Sequence, residues 1–441
     1  MRIYDFHRFP LRGRRLSGGR PFRALLVGLL LVGQAWANEA VSPSLHDFRT
    51  GFEKAAAGKN VTAMKKLAVE YPGKLRQLID RFLSEYSAAL VQSRPKDAER
   101  LSDLATAAAG LSKEIFGESF SANQIRLYTS WNLPQHLSKS KADTLLAKTK
   151  AAFDEGRYGD VGAPGRSALE IFTTLRDKGG QMKVLHCLGQ AERKLANYPE
   201  ALSWHHQALD LAMEVSDPLY RGLALIDIGD VHERKKERQE AIKFYQQALQ
   251  VLKSPADWQG AALALRQLGD VYVATGYFES AFSAYNQALE QAEKGKDVLY
   301  VTEFNDYLGY CHRRLGDYLT AILYHRKALE SGKKIASADM ALRAQARSLN
   351  HLGLCTAELA KEDLAEGNLE QAGEKYRLAI AYEEEALELA LNVADRWRQG
   401  YVLRALSLMY REWGDVLIKP EAIRCLELSL KHADAALDLG L

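Results

Sequence analysis

Cysteine and proline are scarce in this sequence. Its 441 residues include 4 cysteines and 11 prolines. Four thiols in a chain of this length do not make a disulfide scaffold, and so few prolines leave room for long helices. We interpret Cys187, Cys311, Cys355 and Cys425 as buried free thiols, with oxidation in an oxidising compartment as the alternative.

The sequence also lacks the motifs that carry common chemistries. It has no C-x-x-C pair, no G-x-x-x-x-G-K-[ST] loop and no G-x-G-x-x-G after a strand pattern. His232-Glu233 begins like the zinc motif H-E-x-x-H, but Lys236 stands in place of the second histidine. Glu383-Glu384-Glu385 is interpreted as a solvated helix face. We therefore predict no catalytic residues, no metal site and no cofactor, and a protein that is not an enzyme.

An excess of one charge sign is missing from most of the chain. Hydrophobic residues make up 47% and charged residues 26%, an ordinary globular composition. The formal charge of +3 comes from residues 1–37, which contain seven arginines and one acidic residue, Asp5. The remainder is slightly acidic, so the overall charge does not indicate a nucleic-acid partner.

The arginine-rich start has the organisation of a secretory signal peptide. Basic residues precede a short apolar run from Ala24 to Gly33, and Ala35-Trp36-Ala37 forms a small-x-small cleavage pattern. The run is shorter than the roughly 20 residues needed to span a bilayer. We predict cleavage after Ala37 and a periplasmic or secreted protein without stable membrane insertion. The alternative is an uncleaved signal that anchors the protein in the inner membrane.

A period of 40 residues runs through the rest of the chain. It repeats an apolar residue followed by glycine, at Leu188-Gly189, Ile228-Gly229, Leu268-Gly269 and Leu308-Gly309. The same spacing separates Ala201, Ala241, Ala281 and Ala321. Apolar residues recur at intervals of three and four on both sides of a turn-like stretch. Each period therefore predicts two antiparallel helices joined by a short turn.

The repeated small residues have a packing explanation. A glycine within a helix costs up to about 1 kcal/mol relative to alanine. Its repetition indicates a helix that passes too close for a side chain, and we call this residue the slot glycine (Gly189, Gly229, Gly269, Gly309 and Gly353). One position of the second helix holds a ring in successive copies, namely His205, Tyr245, Tyr285, His325 and Tyr376. We therefore interpret these histidines as packed rings and not as catalytic groups.

These landmarks resemble the tetratricopeptide repeat, in which L-G-x-x-Y is followed by A-x-x-x-F and a second alanine. Here they are Leu268-Gly269-Asp270-Val271-Tyr272, Ala281 with Tyr285, and Ala288. The resemblance covers about residues 142–441. Its period of 40, against about 34 in the standard unit, is similar to the longer-helix variety found in bacterial scaffold and sensor proteins. The resemblance implies an all-α fold, a right-handed α-solenoid of antiparallel helix pairs.

About seven hairpins fit into residues 142–441, and the one around residues 342–395 is expected to be longer. Seven residues are inserted on each side of its turn at Gly367, which adds about 10 Å of helix. Residues 38–141 lack the repeat register but contain amphipathic helical segments such as Lys74–Ser93. We predict an irregular helical N-terminal region that packs on and caps the first repeat.

The resemblance also implies which side chains line the concave surface of the solenoid. In this family the inward positions lie six and three residues before the slot glycine, and one, four and five residues after it. On this chain they form a groove with both charge signs, which suits a peptide or the polar surface of a partner. The predicted partner-binding residues are Lys183, His186, Arg193, Lys194, Asp230, Glu233, Arg234, Arg266, Asp270, Glu303, Asp306, Tyr310, Arg313, Arg314, Arg347 and Asn350.

The function that follows is a non-enzymatic scaffold or adaptor of the bacterial cell envelope, which binds a peptide segment or partner protein in its groove. Two alternatives are a sensor that responds to a peptide or other ligand, and a scaffold subunit for an enzyme on another chain. The final predicted helix, Pro420–Leu439, keeps an apolar face suited to a homodimer or docking contact.

Overall fold

The structure is a computed structural model and describes residues 44–414, together with Arg424, Glu427, Leu428, Leu430, Lys431, His432, Asp434 and Ala435. Within these residues the chain forms α-helices and two short 3₁₀ turns, without a strand. The predicted all-α class is confirmed. The predicted signal peptide, Cys425 and most of the final helix, Pro420–Leu439, lie outside the described residues.

The N-terminal region consists of five helices: α1 (Leu45–Ala57), α2 (Val61–Glu70), α3 (Pro72–Val91), α4 (Pro95–Phe116) and α5 (Phe120–Thr129). They bury their own core, in which Phe48, Phe52 and Phe82 are fully enclosed. Pro72 and Pro95 each stand at the start of a helix, where the missing N–H would have had no partner.

The solenoid begins with the pair α6 (Leu133–Asp154) and α7 (Gly162–Thr174), so the boundary expected at residue 142 falls inside a helix. Regular hairpins follow as α8 (Lys178–Lys194) with α9 (Tyr198–Glu214), α10 (Pro218–Arg234) with α11 (Arg238–Val251), α12 (Trp258–Thr275) with α13 (Phe278–Lys294), and α14 (Val298–Arg314) with α15 (Tyr318–Gly332). The longer pair α16 (Ala338–Ala365) and α17 (Leu369–Asn392) precedes α18 (Arg396–Gly414).

The 40-residue period sets both ends of these helices. Asp177, Asp217 and Asp297 cap the first helices, because each side chain accepts a hydrogen bond from a backbone N–H in the first turn. Gly276 ends α12 with φ of +81°, a left-handed conformation in which glycine is free of the strain that other residues bear. Gly276 thus turns the chain at the end of α12.

The two helices of each hairpin approach at the slot glycine. A Cβ on Gly229 would lie 2.6 Å from the ring of Tyr245, and one on Gly309 would lie 2.6 Å from the ring of His325. In the α12–α13 hairpin, Ala281 and Ala288 on the second helix are fully buried. Side chains larger than these would force the helices apart, which explains why the small residues recur.

The pair α16–α17 is longer than the regular hairpins. Its helices run 28 and 24 residues, against 17 in each of α8 and α9. Its core continues into α18, where Met409 and Tyr410 pack against the α16–α17 pair.

The N-terminal region covers more of the solenoid than the first repeat. Gln124 and Tyr128 hydrogen-bond to Asp177, before the first regular hairpin. Further along, Arg76 is paired with Asp217, and Lys296 with Glu70 at 2.9 Å. The predicted cap of the first repeat is therefore too narrow: α2, α3 and α5 contact the starts of first helices as far as α14. The absence of a repeat register in this region concealed these partners.

Two further predictions concern the cysteines and the membrane. Cys187, Cys311 and Cys355 are free and buried, as expected, and burial raises the pKa of each thiol, to about 11 for Cys187 and about 12 for the other two. Across the helices that the structure describes, none combines the length and apolar character that crossing a bilayer demands.

Candidate partner-binding cavity

The first helices of successive hairpins surround one cavity of about 310 Å³, here called the main cavity. Its walls come from α8, α10, α12, α14, α16 and α18, and Tyr285 of α13 closes part of the space between them. First helices lie side by side in a solenoid, so a ligand in this space meets several repeats at once.

Most of the predicted partner-binding residues surround this cavity. The lining includes Arg193, Lys194, Asp230, Glu233, Arg234, Arg266, Asp270, Glu303, Asp306, Tyr310, Arg313, Arg347 and Asn350. The structure does not place Lys183, His186 or Arg314 on its wall.

Lys183 and His186 lie instead in a smaller pocket between α8 and α10. Lys183 forms an ion pair of 2.8 Å with Asp80 of the N-terminal region. His186 contacts Asp227 at 2.5 Å through Nδ1. Burial opposes both cations, but the neighbouring carboxylates outweigh it and raise the pKa of each. Both side chains are therefore paired within the protein, Lys183 with Asp80 of α3 and His186 with Asp227, although about half of the His186 side chain stays exposed.

Arg314 turns towards the start of α13, in the preceding hairpin. Its guanidinium donates a hydrogen bond of 2.8 Å to the Tyr310 hydroxyl and stacks over the Phe278 ring at 5.0 Å. The adjacent Arg313 lines the main cavity.

Two carboxyl groups on the cavity wall accept hydrogen bonds from tyrosines that pack against slot glycines. The Tyr245 hydroxyl donates to Asp230 at 2.9 Å, and the Tyr285 hydroxyl donates to Asp270 at 2.6 Å. Burial raises the pKa of Asp230, and it raises that of Asp270 to about 6 against the opposing effects of Arg266 and Tyr285. The ring positions therefore orient acidic groups of the cavity in addition to packing.

Asp306 is the centre of a buried network at the other end of the cavity. It accepts hydrogen bonds from Arg347 at 2.8 Å and from Ser348 at 3.0 Å, and Nδ1 of His325 lies 3.0 Å away. Burial opposes its charge, but Arg347 and His325 hold its pKa well below the usual range. Asp306 and Arg347 were predicted as open groove residues, yet both are buried and paired with each other.

Two predictions, a solvated Glu383 and a Tyr376 ring packed opposite Gly353, are wrong. Glu383 is fully buried, not solvated, and it fills the slot opposite Gly353 that was assigned to Tyr376. Both of its oxygens accept from the Asn350 amide, at 2.8 and 3.0 Å. Tyr376 stacks on Trp413 with ring centroids 6.4 Å apart. The seven-residue insertion in α17 accounts for the change, because it moves the slot position two turns along the helix.

The prediction from repeat positions missed two groups of lining residues. Gln267, Tyr307 and His351 line the cavity and lie two residues before their slot glycines, a position that the family pattern does not include. Tyr401 lies six residues before Ser407, so extending the pattern to the last copy would have found it. Trp397 and Arg398, at the start of α18, have no equivalent in that pattern.

The described residues offer no group of three or more histidine, cysteine, aspartate or glutamate side chains that could hold a metal ion. The side chains that line the main cavity are cationic, anionic and aromatic. Such a lining can bind and orient a polar ligand.

The sequence match to a known family falls on the regular hairpins. A profile of the tetratricopeptide repeat matches residues 180–254 and 224–294. The search of curated proteins gives no match.

Several solved structures are similar to this chain over long spans. A signal-transduction ATPase with a tetratricopeptide repeat sensor from Pyrococcus horikoshii has 15% identity, covers 83% of this chain and 53% of that one, and has a TM-score of 0.45. BtubC from P. vanneervenii has 17% identity over 57% and 92% of the two chains, with a TM-score of 0.43. The apo quorum sensor NprR from B. thuringiensis has 14% identity over 82% and 99%, with a TM-score of 0.39.

Proposed function

Because the chain is a tetratricopeptide-repeat protein, we propose that it is a non-enzymatic module that holds a segment of a partner protein in its main cavity. The observation that carries the proposal is the convergence of six first helices on one cavity with charged and aromatic walls. Charged groups of both signs provide orientation and specificity, and rings provide contact area at low entropic cost.

The cellular place of this activity is part of the proposal. Residues 1–37 have the sequence of a secretory signal peptide, which supports an envelope protein that meets its partner in the periplasm or outside the cell. Mass spectrometry of the protein from a periplasmic fraction tests this. A mature N-terminus at Asn38 is expected, and an intact N-terminus in the membrane fraction would favour the anchored alternative.

Affinity capture from envelope extracts tests partner binding in the cavity. Arg313→Glu reverses a charge on the cavity wall, while Arg326→Glu makes the same change at an exposed position on α15. We expect a partner retained by the wild-type chain and by Arg326→Glu to be lost with Arg313→Glu. Equal recovery with both variants, each with wild-type helical content, would contradict binding in this cavity.

A sensor is the second candidate, and the contacts of the N-terminal region favour it. This region touches Asp177, Asp217 and Lys296, which belong to three different first-helix starts. A ligand that changes the spacing of the repeats would therefore also change these contacts. Hydrogen exchange of α3 with and without a bound peptide tests the idea, and unchanged exchange there would argue against it.

Self-association through the final helix stays a proposal as well, since most of that helix lies outside the described residues. Its predicted apolar face supports a homodimer. Light scattering over a range of concentrations tests this, and a strict monomer at high concentration would exclude it.

A further inference from the structure

Three arginines of the main cavity, Arg266, Arg313 and Arg398, each have a buried Nε without a hydrogen-bond acceptor and form no ion pair with a carboxylate among the described residues. Other arginines of the same wall are paired: Arg193 lies 3.7 Å from Asp230, and Arg347 lies 2.8 Å from Asp306. The cavity therefore keeps part of its positive charge available to a ligand.

Arg398 is the most enclosed of the three. It is 5% exposed, and its guanidinium stacks over the Trp397 ring at 5.0 Å. Burial and the nearby charge of Arg347 lower its pKa to about 10. A buried cation beside another cation destabilises the protein unless an anion compensates it. Residues that lower stability in the free protein are common at binding sites.

An unsatisfied acceptor lies on the adjacent helix. Asn350 is almost fully buried and lines the same cavity. Its amide nitrogen donates to Glu383, and its Oδ1 is buried without a donor among the described residues. Nδ1 of His351 is likewise buried without a partner. Buried polar atoms in folded proteins almost always have partners. The unused donor of Arg398 and the unused acceptor of Asn350 therefore suit a ligand that offers both an acceptor and a donor.

We propose that Arg398 and Arg313 bind a carboxylate of the ligand, and that Asn350 accepts a hydrogen bond from an N–H of the same ligand. Guanidinium groups bind carboxylates strongly and with defined geometry. This inference rests on the proposed function. It specifies the ligand of the main cavity as a peptide segment with an acidic side chain. Cations exceed carboxylates on the wall by only seven to five, which suits a singly charged carboxylate better than a phosphate dianion.

Isothermal titration of the mature chain with blocked peptides tests this assignment. One probe is an acetylated and amidated hexapeptide of alternating glutamate and alanine, and its match carries glutamine in place of glutamate. We expect the glutamate peptide to bind at least tenfold more tightly to the wild type. Arg398→Gln should lose this preference, and Arg326→Gln, at an exposed position, should keep it.

The outcomes separate this inference from the proposed function. Equal binding of the glutamate and glutamine peptides would overturn the carboxylate site but leave peptide binding intact. A preference for the glutamate peptide that survives in Arg398→Gln would have the same meaning. Succinate and inorganic phosphate serve as free anions. If succinate binds through Arg398 but neither peptide binds, the carboxylate site is supported and the peptide module is not. Absence of binding by every probe, or binding of phosphate in preference to succinate, would overturn the site.

Thermal unfolding distinguishes a binding role of Arg398 from a structural one. Because Arg398 has no anionic partner in the part of the chain that the structure describes, Arg398→Gln should leave the melting temperature of the ligand-free protein unchanged or higher. The glutamate peptide should raise the melting temperature of the wild type and not that of the variant. A lower melting temperature for the ligand-free variant would show that Arg398 supports the fold and would overturn the inference.

Discussion

Glu383 packs its carboxyl group against Gly353, with Oε1 2.6 Å from the point that a Cβ on this glycine would occupy. In the four preceding hairpins the equivalent contact joins the slot glycine to a ring, His205, Tyr245, Tyr285 or His325. Asn350 holds the carboxyl in place, and burial raises its pKa well above the usual value. The longest hairpin thus has an acid in a packing position.

Replacing Glu383 with glutamine should remove a pH dependence of stability. The folded pKa of Glu383 is raised, so the folded state binds its proton more tightly than the unfolded state does. The free energy of unfolding therefore falls as pH rises above the unfolded pKa of about 4.3, until the folded pKa is passed. Melting temperatures of wild type and Glu383→Gln should be similar near pH 5 and diverge in favour of the variant as pH rises. Parallel curves from pH 5 to 9 would contradict a protonated Glu383.

Replacing Gly269 with alanine should destabilise the fold although alanine is the better helix former. Its Cβ would overlap the Tyr285 ring, and overpacking of this kind costs about 1–3 kcal/mol. Gly110 is the matched control, because it lies inside α4 with nothing near its Cβ position. Gly110→Ala should stabilise by up to about 1 kcal/mol. Urea midpoints measure both, and a shift in the same direction for the two variants would refute the close-approach explanation.

The repeat register explains how much of this structure could be predicted from the sequence. Leu-Gly pairs and alanines at a fixed spacing predicted the hairpins, because helix packing at a fixed distance requires small residues at fixed positions. The same register named residues such as Arg266 and Arg313, which the structure brings to one cavity. The register no longer predicted the contacts correctly where residues are inserted in α17. Tyr376 was therefore assigned the position opposite Gly353, which Glu383 occupies in the structure.

Contacts between distant segments could not be predicted in this way. Arg76 lies in a region without repeats, and nothing in the sequence links it to Asp217. Lys183 occupies a groove position by register, but Asp80 of the N-terminal region engages it. Such pairs depend on how the N-terminal helices lie along the solenoid, and a single sequence gives no information about that packing.

Arg76→Ala should be strongly destabilising. Asp217 is 1% exposed and would lose the guanidinium that compensates its charge. Breaking a buried ion pair by removing one partner typically costs about 3–5 kcal/mol. Arg76 also stacks over Tyr220 at 5.0 Å, so part of the loss comes from packing. Thermal unfolding measures the effect.

Asp217→Asn separates the charge from the packing. An asparagine keeps the side-chain oxygen that caps α10 through the Tyr220 N–H, but it has no charge to compensate. Added to Arg76→Ala, it should recover a large part of the lost stability. If the double variant is no more stable than Arg76→Ala, the uncompensated charge is not the cause. Lys296→Ala breaks a more exposed pair with Glu70 and should cost about 1 kcal/mol or less.

His205→Tyr should make the protein less sensitive to acid. The imidazole is fully buried, and its pKa is lowered to about 4 by burial, despite the opposing charge of Asp227 3.4 Å away. The unfolded chain binds the proton with a pKa of about 6.5. Stability is therefore complete above pH 6.5 and is lost as pH falls from there towards 4, by up to about 3 kcal/mol. Tyrosine fills the equivalent slot at Tyr245 and Tyr285, and it has no charge to acquire in this range.

The comparison of interest is the melting temperature of wild type and His205→Tyr between pH 7 and pH 4. The two should be closest at pH 7, and the wild type should fall further with each step towards pH 4. His206→Tyr is the control, because His206 is exposed on the same helix and its replacement leaves the slot unchanged. His186 binds Asp227 in all three proteins, so its contribution largely cancels in the differences. A wild-type curve that stays parallel to that of His205→Tyr would mean that the buried imidazole accepts a proton as readily in the folded chain as in the unfolded one.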